Sequence, residues 1–140
     1  FFKQKTAYEI PKRDWSSDVC SSDLVKAAEF FVDILQSAVQ ANEVLCEVRV
    51  PVTGKSVAYV KTEQKASGFA LCGVAAVING GSTRLGITGV AAKPYVVSDP
   101  ANAADGVEPL SDIHASGAYR LHLAQLNARL AAEKARTLSS

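Results

Sequence analysis

Residues 69–92 most constrain what this chain can fold into. Residues 69–79 (FALCGVAAVIN) are almost wholly apolar and run into Asn79-Gly80-Gly81-Ser82. Residues 83–92 (TRLGITGVAA) then return with Leu85, Ile87 and Gly89 on one side. Glycine supplies the positive φ that a tight hairpin turn needs, so the spacing predicts two antiparallel strands. A continuous apolar run is the pattern of a strand covered on both faces.

The flanking segments extend this pattern. Residues 43–51 (EVLCEVRVP) alternate Val44, Cys46, Val48 and Val50 with Leu45, Glu47 and Arg49, which predicts a half-buried strand closed by Pro51. A Thr53-Gly54 turn follows. Residues 56–65 (SVAYVKTEQK) alternate again, with Val57, Tyr59 and Lys61 on one face. Residues 98–109, punctuated by Pro100, Gly106 and Pro109, read as loop. From about 116 to 136 the stripe Tyr119, Leu123, Leu126, Leu130 has helical spacing, and its leucines are expected to face the sheet. Upstream, apolar residues at 27, 28, 31, 34, 35, 38 and 39 predict a helix over 25–40. Consecutive strands followed by a helix give an α+β fold: an antiparallel sheet of three to four strands packed with a long C-terminal helix.

Residues 1–24 stand apart. KQKTAYEI and DWSSDVCSSDL translate, codon for codon, a common short-read sequencing adapter, with Pro11, Lys12 and Arg13 filling the index between them. The segment is read as adapter-derived, disordered and outside the fold, and the natural start of the protein as missing. Trp15 and Cys20 then carry no function. Residues 25–140 form the expected domain.

Composition removes several classes of function. The chain has 140 residues, 48% hydrophobic and 21% charged, with net charge +1, enough for one domain. Near-neutrality argues against a nucleic-acid face. No apolar run reaches the roughly 20 residues of a membrane span, and no secretory signal precedes the domain. A cytoplasmic protein is expected. Cys20, Cys46 and Cys72 are too few for an iron–sulfur cluster, which takes about four ligands. Cys46 and Cys72, in apolar strands, read as small buried hydrophobes. Phosphate-loop and zinc-protease motifs are absent, and Gly80-Gly81 precedes a strand where a phosphate cradle precedes a helix. His114 and His122 lack ligand partners at metal spacing, and Asp112 reads as a cap or loop residue.

Three stretches carry a resemblance. FFVDILQSAVQANEVLCEVRVP, AYVKTEQKASGFALCGVAAVI, and RLGITGVAAKP followed by SDIHASGAYRLHLAQ resemble, in order and spacing, the C-terminal domain of the FAD-binding (medium) subunit of molybdenum hydroxylases of the carbon monoxide dehydrogenase and xanthine dehydrogenase type. The resemblance implies an oxidoreductase subunit whose FAD passes electrons from iron–sulfur clusters to an acceptor. It implies partnership with an iron–sulfur subunit and a molybdopterin subunit, the latter holding the substrate site. Position by position it implies three cofactor contacts: Lys61, matching a lysine that touches FAD; Phe69, matching an aromatic against the isoalloxazine; and Leu45, matching an apolar lining residue. Tyr119 and Arg120 match a pair read as packing and helix anchoring.

The chain departs from the family pattern in three places. The phosphate-binding loops belong to an upstream domain, so the fragment alone is expected to hold no FAD and to offer a shallow half-site near 61 and 69. Gly68 stands where an acidic residue is common. Residues 95–110 are short where the family has one or two helices, which suggests a deletion that would leave sheet exposed. Two other readings stay open: a non-catalytic α+β subunit-docking module without cofactor, and a chimeric reading frame.

Overall fold

The Asn79–Ser82 turn closes the hairpin around which the rest is built. In a computed structural model that describes residues 24–50 and 56–138, Gly80 and Gly81 take φ of 55° and 87°, and Asn79 pairs with Ser82. The elements in chain order are α1 (Ala27–Phe30), β1 (Phe31–Asp33), β2 (Gln36–Ser37), β3 (Ser56–Glu63), β4 (Ala70–Asn79), β5 (Ser82–Thr88), β6 (Tyr95–Val97), a 3-10 turn (Pro100–Asn102) and α2 (Gly117–Thr137). β3-β4-β5-β6 form one antiparallel sheet in sequence order, and β1-β2 a separate two-stranded ribbon.

Period-two alternation sorts the sheet's side chains. Ala58 pairs with Ala76, Val60 with Val74 and Thr62 with Cys72, and Ala76 and Val74 pair onward with Leu85 and Ile87. Cys72, Val74, Ala76, Leu85 and Ile87 on this face are all at most 1% exposed. α2 lies across it, chiefly over β4 and β3. The opposite face is open, although β4 is apolar on both sides. Ala75 is exposed there, and Gly73 is buried with the Tyr59 and Thr88 side chains against it. Small residues, not a second layer, explain the apolar run.

The long helix forms where its spacing predicts, capped by the Ser116 side chain, but it is rotated from the leucine stripe. Leu123 is 4% exposed, whereas Leu126 and Leu130 are 38% and 43% exposed. The buried face is Arg120, Leu123, Ala124, Asn127, Ala128, Ala131, Ala132 and Ala135. Alanines let the helix axis approach the sheet closely, so the larger leucines at 126 and 130 ride on the flank.

Two expected elements are corrected. The 25–40 helix lasts one turn and gives way to the β1–β2 ribbon, with Leu35 at φ 52° in its turn. Residues 43–50 are irregular, and Val44, Val48 and Val50 are 71–81% exposed. A strand needs a neighbour to pair with, and these residues meet none among the described ones. Residues 95–110, expected to be loop, hold β6 and the 3-10 turn. These two elements shield the inner face without a further helix. Tyr95 Oη donates to the Ala103 carbonyl (2.8 Å), Leu110 N–H donates to Val90 O (2.8 Å), and Leu85, Ile87, Val90 and Ala103 are no more than 1% exposed. The expectations for residues 1–23, Trp15 included, and for the Thr53-Gly54 turn lie outside the described residues.

Candidate functional site

The β3–β4 connection carries Lys61 and Phe69. β3 ends at Glu63, and the chain turns back through a loop closed by Gly68 N–H to Gln64 O (2.8 Å) and Gln64 N–H to Phe69 O (2.9 Å). The turn needs a left-handed residue, and Gly68 supplies it at φ 72°. Gln64 Oε1 accepts from both Ser67 N–H (2.7 Å) and Ser67 Oγ (2.8 Å), which stiffens the tip. Phe69, just before β4, is left 79% exposed with its ring uncovered.

Lys61 sits on the open face, opposite Gly73 in the ladder. Its Nζ donates to the Gly68 carbonyl at 2.9 Å and pairs with Glu63 at 3.0 Å. The ammonium is therefore tied to the residue preceding Phe69. One hairpin thus carries an ion-paired ammonium bonded to Gly68 and, at the next residue along the chain, an exposed aromatic ring. Leu45 is placed elsewhere, in the irregular 43–50 segment, 54% exposed. Among the described residues no hydrogen bond or ion pair ties it to the hairpin.

The 64–69 hairpin and the 89–94 connection project from the same end of the sheet, as the antiparallel order requires. Beside the second lies a shallow open hollow of about 330 Å³, walled by Phe30, Phe31, Asp33 and Leu35 with Ala92 and Pro94. Neither Lys61 nor Phe69 lines it.

Arg120 braces this end. Only 4% exposed, it donates from Nη1 to Leu71 O (2.9 Å) and Gly89 O (2.6 Å), and from Nη2 to Asp112 Oδ2 (2.6 Å). Asp112 is a loop residue whose Oδ1 accepts from the His114 and Ala115 N–H groups. Those two bonds, then Arg120, hold its carboxyl below the ordinary value. Asn127, further along α2, makes a second polar tie to the sheet, donating to Thr62 Oγ1 (3.0 Å) and Cys72 O (3.1 Å). A polar residue at a helix position otherwise flanked by alanines is the signal that could have revealed it. Burial pushes the Cys72 thiol up, as expected of an inert core cysteine. Cys46, expected to be buried, is exposed, because its segment joins no sheet. Among the described residues no three His, Cys, Asp or Glu side chains gather as a metal site, and no helix is long and apolar enough to cross a membrane.

No protein-family model matches the chain. In sequence it is similar to the caffeine dehydrogenase subunit beta of Pseudomonas sp. (strain CBB1), 36% identical over 70 residues, which cover 45% of this chain and 24% of that protein. In structure it is similar to a quinoline 2-oxidoreductase from Pseudomonas putida 86, with a TM-score of 0.66 and 26% identity over 79% of this chain. A carbon monoxide dehydrogenase from Hydrogenophaga pseudoflava that lacks the Mo-pyranopterin moiety of its molybdenum cofactor gives 0.67 and 22% over 79%, which bears on the fold alone. The chain spans 47% of each of those two solved chains and about a quarter of the curated relative it matches. It is an α+β unit similar in fold, and over nearly half its length in sequence, to a portion of these larger dehydrogenase and oxidoreductase polypeptides.

Proposed function

We propose that this chain supplies one wall of the FAD site in the flavin subunit of a molybdenum-containing hydroxylase. That complex would be cytoplasmic, with an iron–sulfur subunit and a molybdopterin subunit as partners. The single observation that carries the reading is the Lys61–Gly68 tether, which ties an ammonium to the residue before the exposed Phe69. The similarity to a caffeine dehydrogenase beta subunit and to a quinoline 2-oxidoreductase supports the family. Bound FAD would supply electron acceptance from iron–sulfur clusters and delivery to an acceptor. Phe69 would offer a flat face to the isoalloxazine, and Lys61 a charge favouring anionic flavin or phosphate. Leu45 would join as apolar lining once its segment is held in place.

The residues present fit one wall and not a whole site. Dinucleotide phosphates are normally received by free backbone N–H groups at a glycine-rich helix start. Here the start of α2 is already occupied. Gly117 N–H donates to Ser111 Oγ (2.8 Å), Tyr119 N–H donates to Ser116 Oγ (3.3 Å), and a side chain at Gly117 would meet Pro109 at 2.8 Å. The phosphate half of the site must come from chain outside these residues.

Flavin fluorescence quenching tests this. The 140-residue chain is expected to show no micromolar binding, and the complete subunit to bind. Phe69→Ala in the complete subunit should weaken binding by about 1–3 kcal/mol if the ring stacks and becomes buried, with Lys61→Ala also weakening it. Micromolar binding by the chain alone, or unaltered binding by the Phe69→Ala subunit, would overturn the half-site.

A second reading, a non-catalytic docking module without cofactor, draws on one observation. The α2 flank of Tyr119, Leu126 and Leu130 is 38–47% exposed and could seat a partner subunit. A complete subunit that binds no flavin would favour it.

A further inference from the structure

Residues 24–50 carry an apolar load that the fold does not use. None of them is buried, yet they hold ten of the nineteen exposed large hydrophobic side chains among the described residues. The unit 56–138 closes its own core without them. Solitary exposed apolar residues are ordinary, but a concentration in one short segment marks a surface meant to be covered.

Within this segment, residues 44–50 have every local property of a strand except a neighbour. Val44, Cys46, Val48 and Val50 occupy one side of the alternation. Leu45, Glu47 and Arg49 share the other, where the Glu47 and Arg49 side chains meet at 2.7 Å. The chain is irregular, and among the described residues none of its backbone N–H groups from 44 to 50 has a backbone partner. Among the described residues the outer edge of β3 is unpaired, and only residues 51–55 separate the two, a length that suits a hairpin. The segment does not take that edge. Its partner therefore has to be sought outside the sheet it adjoins.

We propose that residues 44–50 are an edge strand of a neighbouring domain. They would add to an apolar-faced sheet supplied by chain N-terminal to this unit in the complete polypeptide. The boundary between the two domains would then fall at 51–55 and not near residue 24. The occupant follows from length and position. The solved chains that share this fold have more than as much chain again, since the present one spans 47% of them. The uncovered segment also lies on the N-terminal side of a unit already closed. One wholly apolar side, and one that carries the Glu47–Arg49 ion pair beside Leu45, suit a strand buried chiefly on a single face.

Hydrogen–deuterium exchange decides it, measured without added flavin. In the 140-residue chain, amides 44–50 should exchange at the rate of open chain. In the complete subunit they should slow by at least about tenfold. Val48→Asp should leave the melting temperature of the 140-residue chain unchanged and lower that of the complete subunit. Glu47→Gln, on the ion-paired side, should leave both folded, so a failure of the Val48→Asp subunit to fold is read against this control. Protection of 44–50 in the 140-residue chain would overturn the proposal, whether light scattering shows a monomer pairing within itself or a dimer. So would open-chain exchange in the complete subunit. Protection without flavin binding would remove the flavin reading alone, and flavin binding without protection would remove this one alone.

Discussion

The guanidinium of Arg120 reaches from the first turn of α2 to the carbonyl of Gly89, 2.6 Å away, and the same nitrogen also donates to Leu71. Leu71 is the second residue of β4 and Gly89 follows β5, so one side chain pins the helix and two strands at the end of the sheet where the candidate site lies. Arg120→Ala should destabilise the fold by about 2–4 kcal/mol, because it strips two part-buried carbonyls of their donor and Asp112 of its partner. Arg120→Lys should recover only a fraction of this, since an ammonium lacks the planar fork. Urea unfolding measures both, and an Arg120→Ala variant as stable as the parent would remove the clamp. The carboxyl of Asp112 is held below its usual 3.8, first by the His114 N–H and then by Ala115 and Arg120. Its share of stability is present above that value and is lost as pH falls through the lower folded one.

Gly89 admits no side chain. Its φ is 82°, and an added Cβ would lie 2.7 Å from Ala70 O and 2.9 Å from Leu71 O, both backbone atoms that cannot yield cheaply. Gly89→Ala should cost more than about 2 kcal/mol. Gly86 is the control: a Cβ added there would meet nothing within 4 Å, and it should accept alanine within about 1 kcal/mol. Equal midpoints in thermal melts of the two variants would contradict the contact.

The leucines of α2 should separate in a truncation series. Leu123→Ala should cost about 2–4 kcal/mol as a core cavity, and Leu130→Ala under about 1 kcal/mol. Reversed costs would mean that the helix is rotated toward its leucine stripe.

Alkaline pH should loosen the domain. Burial first, then the neighbouring Cys72, pushes the Tyr95 hydroxyl from 10.0 up to about 12, and burial raises the Cys72 thiol above 9.0. Both groups stay protonated in the fold at pH values where the unfolded chain has released its protons. Their contribution is complete below the unfolded values and declines as pH rises from about 9 toward 12. Tyr95→Phe should flatten the decline above pH 10 while removing the bond to Ala103. Chemical denaturation at pH 8, 10 and 11 reads this, and an unchanged slope in the variant would exclude Tyr95.

Local pattern alone was enough for the hairpin at 79–82, strands β3 to β5 and the long helix. Each depends on interactions within a few residues: glycine at positive φ, alternation, and helical spacing with a serine cap. β6 is not legible in the sequence, because three residues before the turn at Pro100 carry too little period to be seen, and only pairing with β5 makes them a strand. Lys61 and Phe69 could be singled out by resemblance to a family pattern. The bond from Lys61 to Gly68, the residue before Phe69, appears only when the loop closes.

Which apolar residues are inside was a different kind of question. The sequence by itself determined an α+β order with an antiparallel sheet and a helix, because period and turn chemistry are written into neighbouring residues. The tertiary structure decided that alanines and not Leu126 or Leu130 meet the sheet, since close approach of helix to sheet rewards small side chains and turns larger ones outward. It also decided that 44–50 pairs with no strand among the described residues, since a strand exists only where another edge offers its hydrogen bonds.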